Sequence, residues 1–399
     1  MPEAGESLFW IALCAVLAPL LAGLLLRGKV PEVVLLLVLG VLIGPNALEL
    51  AVAGEGVNTL RELGLGMLFL LAGYELEPAE LAGRGGRRAL VTWLACLLIA
   101  LGLVLALGTT DHVDGEIAVA IALTSTALGT LLPILKDGGL IGTPFGRTVL
   151  NHGAYGELGP IVAMAVLLGA RGPLESILVL LGFGVLAVVL HRFSAGLGRE
   201  GSGVLAVVRR GAETSGQIQV RLVVLLLVTL TVAAAAFELD AVLGAFAAGF
   251  VLRQLVPEGH ESLEHKLEGL AFGLLIPIFF ITSGMAIDPR AVVEEPVSLV
   301  AFVTFILIVR GGVVFVSTVT SGEFDRRQSA AVAMFAATGL PIIVAVTSVA
   351  VTAGEMTPTN ASVLVAGGAL TVLICPLLGQ RFLTGGHPDR VSRSGPADS

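Results

Sequence analysis

Along almost the whole chain, apolar residues come in runs of about 18 or more, broken by short clusters of glycine, proline and charge. Each run can cross a hydrocarbon core ~30 Å thick. Reading the runs against their breaks predicts thirteen helical spans. They lie near 7–26, 33–50, 58–76, 89–108, 116–135, 147–170, 173–191, 221–237, 239–255, 267–286, 296–320, 328–352 and 360–382. The shortest connection is Phe237-Glu238-Leu239-Asp240, where two spans nearly touch. The expected fold class is an all-α polytopic membrane protein with about 13 transmembrane helices.

The basic residues orient this map. With the N-terminus outside, 19 of the 23 lysines and arginines fall in inner loops or the tail. Outer loops hold Arg61, Arg171 and Arg290, and Arg310 lies within a span. One missed or invented span would scramble that bias, so the N-out, C-in arrangement in a cell membrane rests on more than hydropathy. Composition agrees: of 399 residues, 55% are hydrophobic and only 14% charged, too few polar side chains to coat a soluble protein of this size. Mean hydropathy is +0.95. Cys14, Cys96 and Cys375 sit inside apolar runs and read as core residues. The start, MPEAGES, lacks a basic region, so the first run is expected to be a retained span. The loop 192–220 contains an apolar piece suited to the membrane surface, and 383–399 reads as a disordered cytoplasmic tail. No nucleophile–base set and no Walker-type loop is present, which argues against an enzyme or an ATP-driven pump. No cofactor and no nucleic-acid partner is expected.

Two units of similar length, 89–170 and 296–382, enter the membrane from opposite sides and form a candidate inverted-topology repeat. Their middle spans share interruptions. In ALTSTALGTLLP, Thr124, Ser125 and Thr126 precede Gly129 and Pro133; in AATGLP, Thr338 precedes Gly339 and Pro341. These predict two discontinuous helices whose freed carbonyls and helix ends meet ions at mid-membrane. Glu157 follows Arg147 by ten residues, placing it about 15 Å deep in an otherwise apolar span. Arg310 falls near mid-depth in the partner unit. Each central charge costs roughly 2.5–3.5 kcal/mol on insertion scales, so Arg310 is expected to compensate Glu157.

Ser125 and Thr126, with Thr124, read either as oxygen ligands for a hard cation or as helix–helix hydrogen-bonding groups. Asn151 and His152 precede Glu157 by six and five residues and share no face with it. They read as lining the inner approach, with His152 able to tune a pH response, or as ordinary entrance residues. The segment 258–269 places His260, Glu261, Glu264, His265 and Glu268 at helical spacings. It reads as a solvated helix entry, with a proton sensor or metal site as rivals. Glu75 and Glu77 read as interfacial. No metal is expected beyond a transported alkali cation.

Five phrases carry a resemblance: LGVLIGPNALEL (39–50), LGMLFLLAGYELEP (65–78), IALTSTALGTLLP (121–133), LGAFAAGFVL (243–252) and IPIFFITSGMAID (276–288). In that order, over nearly the whole chain, they resemble the monovalent cation:proton antiporter-2 family. The resemblance implies an antiporter fold in which residues 1–382 form one exchanger domain. Its moving core comes from about 89–170 and 296–382, its dimerisation scaffold from about 7–76 and 221–286, and a linker helix from about 173–191. The family's span 6 commonly carries Asp-Asp, Asn-Asp or Gln-Asp, the second acid binding ion and proton; the matching pair here is Gly156-Glu157. A lysine is frequent where this chain has Arg310. The function implied is secondary active exchange of Na⁺ or K⁺ for H⁺ by a homodimer in the bilayer. With Glu157 the single exchangeable acid and Arg310 permanently charged, exchange is expected to be electroneutral. Rival readings are a membrane subunit of a regulated potassium efflux channel, an organic-solute carrier on the same scaffold, and a non-transporting sensor.

Overall fold

Proline and glycine punctuate this chain, and at several of them a missing backbone N–H or Cβ ends, widens or restarts a helix. The structure, a computed structural model, describes residues 4–25, 30–76, 83–108, 115–129, 139–168, 217–255 and 261–384, with residues 131, 135, 181–182 and 184–185. The regular elements described are all helical. The first are α1 (Ala4–Leu20), α2 (Glu32–Ile43), α3 (Glu55–Glu75) and α4 (Arg84–Gly108). Next come α5 (Glu116–Ala122), α6 (Pro144–Leu167), α7 (Ile218–Ala236), α8 (Ala241–Leu255), α9 (Glu261–Leu270) and α10 (Ile276–Met285). The last are α11 (Pro289–Glu294), α12 (Pro296–Phe305), α13 (Val313–Ser321), α14 (Arg326–Ala336), α15 (Leu340–Thr352) and α16 (Pro358–Thr384).

Among the described residues, seven stretches are long and apolar enough to cross a membrane. They are Gly5–Leu24, Arg84–Leu107, Ile218–Ala236, Ser262–Met285, Pro296–Ser321, Arg326–Thr352 and Pro358–Leu383. Helices α3 and α6, of 21 and 24 residues, are as long but more polar, and α2 and α8 are apolar but shorter. Several spans differ in form from the sequence pattern. The run 33–50 is helical only to Ile43, because Gly44-Pro45 ends it and residues 44–50 fold back in turns. The run 328–352 is two helices, α14 and α15. Pro341 does not break α15 but sits in its first turn, where a missing N–H costs nothing. Pro277 removes the donor that would close a turn on Gly273, and the helix widens to a π-type turn over Ala271–Leu275. Most of the expected linker 173–191, the loop up to 216, Pro133 and the tail beyond 384 lie outside the described residues.

The helices pack in two groups. In the first, α3 lies on α8 and α10, α2 on α10, and α7 on α8. Glycines bring these backbones together. A Cβ at Gly73 would strike the Phe246 carbonyl, one at Gly249 that of Leu70, one at Gly40 that of Ile281, and one at Gly284 that of Leu37. In the second group, α4 packs on α5 and α6, α14 on α6, α13 and α16, and α15 on α5 and α16. Arg326–Thr352 is enclosed at its centre, with 89% of its apolar window buried, whereas Arg84–Leu107, at 28%, turns an apolar flank outward. Asp325 opens α14 with a capping box shared with Gln328. The groups meet where α8 touches α6, and where Arg61 of α3 donates to Ser348 Oγ of α15 at 3.0 Å.

The glycine contacts predict a sharp contrast. Gly249→Val forces a side chain against the Leu70 carbonyl and should cost about 1–3 kcal/mol of stability, read as a lower Tm of the detergent-solubilised protein. Gly102→Val, whose Cβ meets nothing within 4 Å, should leave Tm near the parent's.

Candidate functional site

Helix α5 stops at Ala122, and residues 123–127 are not helical. Its orphan carbonyls are taken by the hydroxyls that follow: Thr124 Oγ1 donates to the Ile121 carbonyl at 2.8 Å and Ser125 Oγ to that of Ala122 at 2.7 Å. Helix α14 ends at Ala336 in a similar way, with Thr338 Oγ1 donating to the Phe335 carbonyl at 2.8 Å. Gly339 then precedes α15 and accepts from the Ile343 N–H at 3.0 Å. The two interruptions lie against each other. The Ala127 N–H donates to the Thr338 carbonyl, and Thr126 Oγ1 donates to the Ala336 carbonyl at 2.6 Å. Ser125 Oγ lies 3.4 Å from the Gly339 carbonyl, in space that a Cβ at 339 would fill. Gly129 is helical, and a Cβ there would meet nothing, so it shapes no contact.

Helix α6 completes the junction. Thr143 caps it, accepting from the Gly146 N–H at 3.0 Å, and Pro144 fills its first turn. Pro160, inside the helix, has no N–H to offer the Gly156 carbonyl. The Thr126 N–H takes that carbonyl instead, at 2.8 Å. A defect in one helix thus answers a defect in another.

Glu157, only 4% exposed, sits beside this contact. The Leu128 N–H donates to its carboxylate, while Oε2 is buried with no hydrogen-bond partner. Arg310, 0% exposed, lies on a π-type turn, Ile306–Gly312, between α12 and α13. Its Nε donates to Thr126 Oγ1 at 3.0 Å, one terminal nitrogen to the His152 carbonyl at 2.6 Å, and the other faces Cys96 Sγ at 3.9 Å. None of these hydrogen bonds reaches Glu157, so the balance expected between the two charges is not a direct ion pair. Thr126 has its hydrogen and one lone pair committed, to Ala336 and Arg310. A Cβ at Gly156 would collide with both the guanidinium and the Thr126 hydroxyl. The arrangement fixes a cation against Gly156 and leaves the next residue's carboxylate with one oxygen to spare.

His152 is buried, and its Nδ1 lacks a partner. With Asn151 it lines a cavity of about 330 Å³, together with Arg84, Arg88 and Thr148. Neither side chain is placed against Glu157 by a hydrogen bond. Of the segment 258–269, His260 lies outside the described residues; His265 Nδ1 and Glu268 Oε2 form an exposed pair at 3.5 Å. Among the described residues no His/Cys/Asp/Glu group is arranged to hold a metal ion. Glu75, read from sequence as interfacial, has a buried Oε2 without a partner. Its place at a helix end hid this, since α8 and α9 enclose it only in the folded chain.

Comparison with known proteins agrees with this architecture. Residues 12–385 match the model of the sodium/hydrogen exchanger transmembrane family, and the chain belongs to that family. It is 30% identical over 310 residues to cation/H⁺ antiporter 17 of Arabidopsis thaliana, which covers 69% of this chain and 36% of that protein. It is 28% identical over 320 residues to the glutathione-regulated potassium-efflux system protein KefC of Cronobacter sakazakii, covering 76% and 48%. The chain spans about half or less of the length of these curated relatives. Two solved structures of the sodium proton antiporter MjNhaP1 from Methanocaldococcus jannaschii share its fold, with TM-scores of 0.62 and 0.64 at 16% and 17% identity. They cover 96% and 97% of this chain and all of that one.

Gly156→Ala should cost about 1–3 kcal/mol, because the rigid fork of Arg310 and the doubly bonded Thr126 cannot yield. Gly153→Ala meets only the flexible end of Leu128 and should be nearly silent in the same Tm measurement.

Proposed function

We propose that this chain is a secondary active antiporter that exchanges a monovalent cation, Na⁺ or K⁺, for a proton, with Glu157 holding each in turn. The observation that carries this reading is the unpartnered oxygen of Glu157, buried where two interrupted helices meet. An ionised carboxylate in that position, with one oxygen lacking any donor, has too few hydrogen bonds to offset its burial. A proton or a partly dehydrated alkali cation relieves that cost, and each neutralises the charge that would hold the other. Ser125, with the second lone pairs of the carbonyls at the two breaks, supplies further oxygen ligands for a hard cation.

Arg310 contributes a permanent positive charge, since a guanidinium keeps its proton at any working pH. Thr126 and the His152 carbonyl hold that charge in place while Glu157 changes occupant. One acid then moves one proton one way and one cation the other, and the cycle is electroneutral. The second helix group carries Glu157 from one face of the membrane to the other against the first group, through which two copies pair. The chain lies in the cell membrane with its N-terminus outside, so that Arg84, Arg88 and the α8–α9 connection face the cytoplasm.

The test is proton flux in proteoliposomes under gradients of Na⁺, K⁺ and Li⁺, both sodium- and potassium-named proteins being among the relatives. Glu157→Gln should abolish exchange, and Glu157→Asp should keep part of it. Parent rates should not respond to an imposed membrane potential. Normal exchange by the glutamine variant would remove Glu157 from the mechanism, and a steep voltage response would remove electroneutrality.

A further inference from the structure

A cavity of about 330 Å³ opens at the end of the second helix group, where α4 and α6 begin and α13 ends. That volume falls at the lower end of the range for small-ligand sites, about 300–1,000 Å³. Arg84 and Arg88, four residues apart, share one face of α4 and both line it, Arg84 at the exposed mouth and Arg88 half-buried. From α6 come Asn151 and His152. Gly85 keeps the first turn of α4 open to them, since a Cβ there would stand 2.7 Å from the Asn151 amide nitrogen. His152, 3% exposed, lines the cavity with an Nδ1 that has no hydrogen-bond partner. A buried ring nitrogen in a purely structural role is ordinarily satisfied.

The donors left unspent here sit on side chains of positive or neutral charge. The hydroxyls on the wall give their hydrogens to their own helices: Thr148 to the Pro144 carbonyl at 3.0 Å, Ser321 to that of Thr318 at 2.6 Å, and Thr318 to that of Val314. Among the described residues no ion pair engages Arg84 or Arg88. Glu323 lines the rim and is exposed to solvent, so one carboxylate stands against two guanidiniums. Two guanidiniums, a primary amide and a ring nitrogen around one space match the oxygens of a phosphate, which arginine takes with its fork of N–H groups. The start of α4, whose first N–H groups lack intrahelical partners, adds to the same polarity. Beyond Arg88 the same face of α4 turns apolar and exposed at Val91 and Leu98. A lipid lying on that flank would bring its phosphate to Arg88.

We infer that this cavity binds a phosphate group, carried by an anionic lipid or free in solution, with Arg88, Arg84, Asn151 and His152 as its ligands. Of the two sources, the apolar flank of α4 favours the lipid. His152 gives its ring to the cavity while its carbonyl accepts from Arg310 at 2.6 Å, so one residue joins this site to the buried arginine. Such binding is independent of the antiporter reading, because none of the four ligands holds the exchanged ion.

The experiment is isothermal titration of the detergent-solubilised protein at fixed ionic strength. The probes are inorganic phosphate, dioctanoyl phosphatidic acid and dioctanoylglycerol, which has the same tails and no phosphate. The parent should bind phosphatidic acid and not dioctanoylglycerol; tighter binding of inorganic phosphate would make the free anion the source. Arg88→Gln and His152→Leu should each raise the Kd by about tenfold, the loss of one hydrogen bond to a charged group. Arg84→Gln, at the mouth, should raise it by less. Arg87→Gln removes the same charge one residue away, outside the cavity lining, and should leave the Kd near the parent's. Equal weakening by Arg87→Gln and Arg88→Gln would show a diffuse surface charge and overturn the site. So would an unchanged Kd in a folded Arg88→Gln, or phosphatidic acid binding no better than dioctanoylglycerol while inorganic phosphate does not bind. Where Arg88→Gln does not fold, an unchanged Kd in Arg84→Gln and His152→Leu overturns it equally.

Discussion

A backbone amide or carbonyl released inside a bilayer must find its partner within the protein, because lipid offers none. That constraint organises the centre of this molecule. Pro160 frees the Gly156 carbonyl, the break after Ala122 frees the Thr126 N–H, and the two pair at 2.8 Å. The α14 break is tied in by Ala127 to the Thr338 carbonyl and by Thr126 to that of Ala336. The junction therefore holds three helices by polar bonds in apolar surroundings, where such bonds face no competition from water. Glu157 inherits its setting from this closure.

Arg310 follows from the same logic. A guanidinium with no exposed surface needs its donors engaged, and Thr126, the His152 carbonyl and Cys96 Sγ take up one on each of its nitrogens. Gly156 is what admits the fork. In the family that this sequence resembles, the matching position commonly bears a polar side chain; here that volume is occupied by the arginine and the Thr126 hydroxyl. Glycine at 156 and arginine at 310 are one choice made at two places.

Much of this was legible in the sequence, unevenly. That Glu157 and Arg310 are deeply buried follows from single charges within long apolar runs. The interruptions near 124 and 338 were marked by hydroxyl residues, glycine and proline. Their partners were not legible, since the Arg310 contacts join residues 126, 152 and 310, brought together only by packing. Pro341 looked like a breaker and proves to start a helix, a difference set by one residue of register. Residues 44–50 read as span because Leu48 and Leu50 are apolar, but Gly44-Pro45 overrides that pattern. Glu75 read as interfacial because a charge at a helix end ordinarily reaches water, and in the fold α8 and α9 close over one of its carboxylate oxygens.

The glycine notches of the first helix group carry a mechanical implication. With the carbonyls of Leu70, Phe246, Leu37 and Ile281 seated where side chains would otherwise stand, that assembly has no soft layer in which to shear. Compliance is left to the seam, where Arg61 reaches Ser348 and cavities replace backbone contact. The first group is thereby the stiffer half of the molecule, and the seam is its softest boundary.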